Sequence, residues 1–142
     1  EIRMEPQNNI AKLFGEAGLR QTKQRTHLAK ILFQTGNRHF TAEQLHKETQ
    51  ISGYTISLAT IYNTLHQFRT AGLLRQVIVE PGKVYFDTNT EPHHHFYIEG
   101  EGQLLDVKST EIEISTLPPT PRDCDIHEMD VIIRLRKKSC LS

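Results

Sequence analysis

Along the first half of the chain, apolar residues recur at the three- and four-residue steps of a helix; further on they recur at every other residue. Ile10, Leu13, Phe14 and Ala17 make one short amphipathic stretch, closed by Gly18. Leu28, Ile31 and Leu32 make a second, which Thr22 is placed to cap and which stops near Gly36. Thr41-Ala42-Glu43-Gln44 has the form of a capping box and opens a third, with Leu45 inside. After Gly53, the residues Leu58, Ile61, Leu65 and Phe68 define a fourth helix that ends at Ala71-Gly72. The period then falls to two. Residues 74–79 and 84–86 read as strands around the turn Glu80-Pro81-Gly82-Lys83. Helices followed directly by a hairpin predict a winged helix-turn-helix.

The rest reads as a smaller unit. Strand-like runs at 93–98, 103–107 and 126–135 surround residues 110–117, expected to be helical, and Leu117-Pro118-Pro119-Thr120-Pro121 interrupts regular structure. The expected fold class is α+β, with a winged helix-turn-helix domain over 1–87 and a small α+β domain over 88–142.

Charge sharpens this division. Lys+Arg and Asp+Glu balance at 17 each, yet residues 1–75 hold ten basic against five acidic side chains and residues 76–142 hold seven against twelve. A basic half suits a polyanion, and an acidic, histidine-bearing half suits cations. Chance segregation of solvated charges stands as the plain alternative here. The 142 residues, 37% hydrophobic and 24% charged, have the composition of a globular chain. No run approaches the roughly 18 apolar residues of a membrane span, and EIRMEPQNN lacks a signal peptide's apolar core, so a cytoplasmic protein with no membrane partner is expected. Only Cys124 and Cys140 occur, without a CxxC pair, which argues against a thiolate-rich zinc site. Any metal must then be held by histidine and carboxylate.

The last helix of a winged helix-turn-helix exposes its N-terminal residues to base edges, while the wing and earlier helix ends reach phosphates. Ser57, Thr60, Tyr62, Asn63 and Thr64 lie off the apolar stripe of the fourth helix. Asn reads adenine in bidentate fashion, and a Tyr ring or Thr methyl packs on a thymine methyl, so an A·T-rich double-stranded site is expected. Arg20, Lys23 and Arg25 cluster at the start of the second helix, in reach of phosphates or a minor groove. Any solvated helix shows such residues, and the helix alone leaves both readings open.

GLRQTKQR at 18–25, HFTAEQL at 39–45, SLATIYNTLHQFRTAGLL at 57–74 and the histidine cluster after the wing resemble the ferric uptake regulator family of metal-dependent transcription factors, over about residues 10 to 135. The tripled histidine, the missing CxxC pairs and the short C-terminus resemble its haem-binding iron response regulator branch. The resemblance implies a homodimeric repressor, iron- or haem-responsive, on an A·T-rich inverted repeat. Three departures stand out. Ile98 and Glu101 occupy positions where many members carry a cysteine pair, so a structural four-cysteine zinc is not expected. Asn63 follows Tyr62 where the family commonly has Arg, which implies a different base preference. Neither cysteine precedes a proline, so the Cys-Pro route to haem is absent.

In EPHHHFYIE at 91–99, strand alternation puts His93 and His95 on one face and His94 on the other. On the first face the resemblance implies a regulatory metal site completed by His39, Asp87 and Asp106, a donor set suited to Fe²⁺, Mn²⁺ or Zn²⁺. On the other, His94 replaces a family aspartate and is expected near Glu113 and His127, as a second metal or haem site that draws on the whole triplet. His46 and His66 are reserve haem ligands, and His27 receives no role. Two rival classes remain: a peroxide sensor of the same superfamily, in which bound Fe²⁺ oxidises His39 or His93, and a His/carboxylate metal enzyme of the dioxygenase kind.

Overall fold

The structure is a computed structural model that describes residues 6–139, with side chains from Asn9 onward. It forms two compact units, the first ending at Thr90 and the second beginning at Glu91.

The first unit contains α1 (Pro6–Ala17), α2 (Lys23–Phe33), β1 (His39–Phe40), α3 (Ala42–Ile51), α4 (Leu58–Thr70), β2 (Arg75–Glu80) and β3 (Lys83–Asp87). Its helix starts follow the capping chemistry of the sequence. Thr22 accepts from the Arg25 backbone N–H at 3.2 Å, and Ser57 accepts from Thr60 N at 3.1 Å. Thr41 and Gln44 satisfy one another in a complete capping box. Gly18, Gly53 and Gly72 follow helix ends at positive φ, a conformation that costs little only without a Cβ. The apolar stripes of the helices meet in one core of Ile10, Phe14, Leu28, Leu32, Leu45, Ile61, Leu65 and Phe68, closed by Phe40 and Phe86 from the sheet. Each such side chain contributes about 1.5–3 kcal/mol of apolar burial. The strand order is β1-β3-β2, all antiparallel, so the β2–β3 hairpin is the wing.

In the second unit β4 (His93–Ile98) lies between β5 (Gln103–Lys108) and β6 (Ile132–Leu135), antiparallel to β5 and parallel to β6. Tyr97, Leu104 and Val107 are buried. Two expectations are corrected here. Residues 110–117 are not a helix: a single 3₁₀ turn, Ser109–Glu111, leads into irregular chain. The reason is in the local pattern, because Glu111-Ile112-Glu113-Ile114 alternates with period two and Pro118-Pro119 blocks continuation. The run at 126–135 pairs only over Ile132–Leu135, since Ile126-His127-Glu128-Met129-Asp130 lacks the period of two that a half-buried strand needs and stays exposed. Among the described residues, no helix is long and apolar enough to cross a membrane.

Candidate functional site

In the first unit, the antiparallel register of β1 and β3 sets His39 opposite Asp87. His39 Nε2 lies 3.2 Å from Asp87 Oδ2, with the carboxylate only 1% exposed. Its other oxygen, Oδ1, accepts from Asn89 N at 2.9 Å, which fixes the plane of the group. The neighbouring residues clamp this join. Thr88 N donates to Arg38 O at 3.1 Å, and Arg38 N donates to Thr88 Oγ1 at 2.8 Å. The Arg38 guanidinium in turn grips both oxygens of Glu48 on α3, at 2.7 and 2.9 Å.

In the second unit, β4 and β5 pair His95 directly with Asp106, and strand alternation puts His93 on the same face two residues away. Both imidazoles turn Nε2 towards one carboxylate oxygen, Asp106 Oδ1, at 3.3 Å from His93 and 3.5 Å from His95. The His93 Nδ1 is 2.6 Å from the carbonyl oxygen of Glu91. A carbonyl only accepts, so Nδ1 carries a proton, and a neutral His93 presents a lone pair at Nε2. A lone pair and a carboxylate oxygen at 3.3 Å repel unless a cation stands between them, either a second ring proton or a metal. Backbone carbonyls that hold the far nitrogen of a histidine are the usual support of a metal ligand. Ligands about 2.1 Å from one ion at angles of 90° to 110° lie roughly 3.0–3.4 Å apart. The spacings within each set match that scale closely, and the nitrogen and oxygen donors suit first-row divalent ions.

His94 faces the other side, as strand alternation requires. Val131 N donates to its Nδ1 at 3.1 Å, so a neutral His94 carries its proton on Nε2, and the ring is spent in attaching the chain before β6. Glu113 and His127 are exposed in irregular segments, and among the described residues they do not gather with His94 into a set of closely spaced ligand atoms. His46 is half-buried in α3 and His66 exposed on α4.

On α4, Ile61, Thr64, Leu65 and Phe68 are buried while Tyr62 and Asn63 are exposed. Thr64 therefore faces inward, contrary to expectation: its methyl completes the apolar stripe, and its hydroxyl donates to Thr60 O at 2.9 Å. The Ser57 hydroxyl serves as the helix cap and also donates to Thr60 Oγ1 at 2.9 Å. Arg20 and Lys23 are exposed. Arg25 is tied inward: Nε and Nη2 donate to Gln67 Oε1 of α4 at 3.1 and 2.9 Å, and Nη1 donates to Arg20 O at 2.6 Å. A residue that sequence reasoning did not single out, Glu43, accepts a hydrogen bond from the Tyr62 hydroxyl at 2.5 Å. The pairing crosses from α3 to α4, and only the capping box, which fixes Glu43 in the first turn, marks it in the sequence.

A winged helix-turn-helix followed by a unit that turns two histidines onto one aspartate defines a metal-responsive transcriptional regulator rather than an enzyme. Residues 16–132 match the Ferric uptake regulator family, and the chain belongs to that family. It is 31% identical over 133 residues to the peroxide-responsive repressor PerR of Staphylococcus aureus, covering 92% of this chain and 88% of the relative. It is similar to the ferric uptake regulator of Pseudomonas aeruginosa solved with manganese, at 25% identity and a TM-score of 0.72 over 91% of this chain and 98% of that one. The regulator of Francisella tularensis, solved with iron, shares the fold at 20% identity and a TM-score of 0.70, over 87% and 95% of the two chains.

Proposed function

We propose that this chain is a peroxide-responsive repressor that binds double-stranded DNA as a homodimer, with affinity set by Mn²⁺ or Fe²⁺ held by His39, Asp87, His93, His95 and Asp106. The observation that carries the metal reading is the placement of His93, with Nδ1 2.6 Å from the Glu91 carbonyl oxygen and Nε2 3.3 Å from Asp106 Oδ1, so that the ring nitrogen and the carboxylate are positioned to share a cation. The His39–Asp87 pair offers a second half-set of the same chemistry, its Asp87 only six residues before His93 in the chain. A ligand set drawn from both units makes DNA affinity sensitive to metal, because the ion then favours one arrangement of reading half and sensing half. A second copy of the chain is supported by exposed apolar side chains in the second unit, among them Leu105, Leu117, Ile126 and Met129. Asn63 and Tyr62, both exposed on α4, support an A·T-rich inverted repeat as the target.

Peroxide responsiveness rests on the similarity to peroxide-responsive repressors. Fe²⁺ held by these residues would supply the redox chemistry that splits the O–O bond and would return to its starting state. Overall, one oxygen atom of hydrogen peroxide would enter a C–H bond of a ligand imidazole and the other would leave as water, a two-electron oxidation of the ring by peroxide, so His39 or His93 would gain a single oxygen. Haem responsiveness is the second reading, and the adjacent imidazoles of His93, His94 and His95 favour it. Haem capture through His94 Nε2 must break the Val131–His94 hydrogen bond, whereas His93 can offer Nε2 with its Glu91 bond intact. The experiment is peroxide challenge of the Fe²⁺-loaded protein on an A·T-rich inverted repeat, followed by peptide mass spectrometry. DNA release with an oxygen added at His39 or His93 is expected; release by haem alone, with peroxide inert, selects the haem reading instead.

A further inference from the structure

We propose that Glu43 is a specificity-determining residue of the DNA-reading face: by holding the Tyr62 hydroxyl it fixes the orientation of that ring, and so decides which bases α4 accepts. This rests on the DNA-binding reading above and adds a residue to it.

Both members of the pair are exposed, Tyr62 at 43%, so the bond lies on the surface and not in the core between α3 and α4. That core is already filled by Leu45, Ile61 and Leu65, each fully buried. An exposed pair adds little to stability by comparison. A carboxylate is also a poor occupant of a surface that meets phosphates, because it repels them, and packing does not require one there. What the carboxylate does supply is direction. Glu43 sits in the first turn of α3, where the helix dipole favours an anion and where the capping box fixes the backbone at both Thr41 and Gln44. An O–H bond to an ionised acceptor at 2.5 Å is of the short, strong kind. The same bond, followed by burial and the charge of Glu43, raises the Tyr62 pKa above the ordinary value. An unheld Tyr on this surface turns about two torsions and meets several base steps equally well. A held one presents one edge.

The test uses the full chain loaded with Mn²⁺, selecting from a random-sequence duplex pool. Affinities are then measured for the duplex that the parent selects and for random DNA. Glu43→Gln keeps an acceptor oxygen and loses the charge, so it should return the parent's motif while holding random DNA more tightly. Glu43→Ala and Tyr62→Phe should each lower the ratio of selected to random affinity by roughly three- to tenfold, the scale of immobilising one side chain. The double variant should lose no more than either single one, because both remove the same bond. A Glu43→Ala protein that keeps the parent's motif and ratio overturns the proposal, as does a double variant whose loss is the sum of the two. If the parent itself selects no motif, the DNA-reading function fails first and this inference falls with it.

Discussion

His39 and Asp87 face one another across the join of β1 and β3, Nε2 to Oδ2 at 3.2 Å, because the antiparallel register makes their Cα positions partners. The pair is therefore built by backbone pairing, and the second oxygen of Asp87 is held by Asn89 N. Asp87→Asn keeps that acceptor and the shape but removes the charge that a cation needs. It should weaken Mn²⁺ binding by at least about tenfold, the lower bound found even for outer partners of metal ligands, and leave the helical content unchanged. Isothermal titration with Mn²⁺, alongside circular dichroism, checks both halves.

Arg25 separates two roles that the sequence leaves joined. Its guanidinium is committed to Gln67 and to the Arg20 carbonyl, a tie between the start of α2 and α4. Arg25→Ala should cost about 1 kcal/mol of stability, the net worth of one such bonded group, and Gln67→Ala a similar amount. If Arg25 also meets a phosphate, only Arg25→Ala will reduce the slope of log K against log[salt], by about 0.9. Denaturant titrations and salt-dependent DNA affinities of the two variants give the answer.

His27 stacks on Tyr54, with ring centroids 3.8 Å apart and planes 10° from parallel. Burial lowers its pKa below the usual 6.5, and the charges of Lys23 and Lys30, four residues before and three after it on the helix, lower it further. The unfolded chain therefore takes up a proton first as pH falls. The stability that His27 contributes is complete above the unfolded value and is lost as pH drops towards the folded one. Titration of the ring by NMR should show protonation below 6.5 in the parent and a shift upward in Lys23→Gln.

The winged helix was largely legible in the sequence because its signals are local. Capping at Thr22 and Thr41, glycines after helices, and the change of period at Leu74 all act within one turn or hairpin, whereas Ser57, read as a base-contacting residue, caps α4. The two-residue strand β1 was not legible, since His39-Phe40 is too short to show any period; it exists because β3 offers it a partner. Thr64 misled for a related reason. A threonine reads as polar, yet its methyl can fill a stripe while the hydroxyl returns to the helix backbone. The His93/His95 face followed from strand alternation alone, whereas their convergence on a single oxygen of Asp106 depends on the β4–β5 register, which no spacing encodes.

Sulfur should play no part in the metal site. Cys124 is exposed and free among the described residues, and the sequence holds only one other cysteine. X-ray absorption of the Mn²⁺- or Fe²⁺-loaded protein should show a first shell of nitrogen and oxygen only, unchanged after alkylation of the thiols. Sulfur in that shell would require the ligand assignment to be redrawn.

DNA affinity titrated with Mn²⁺ against a chelated control, in the parent and in His39→Ala, tests the central claim most directly. The parent should change affinity for its selected duplex by about five- to 150-fold on metal binding, the usual range of coupling between two sites, and His39→Ala should lose most of that change while binding random DNA normally. Equal affinity with Mn²⁺ and with chelator in the parent would contradict a regulator controlled by this metal centre.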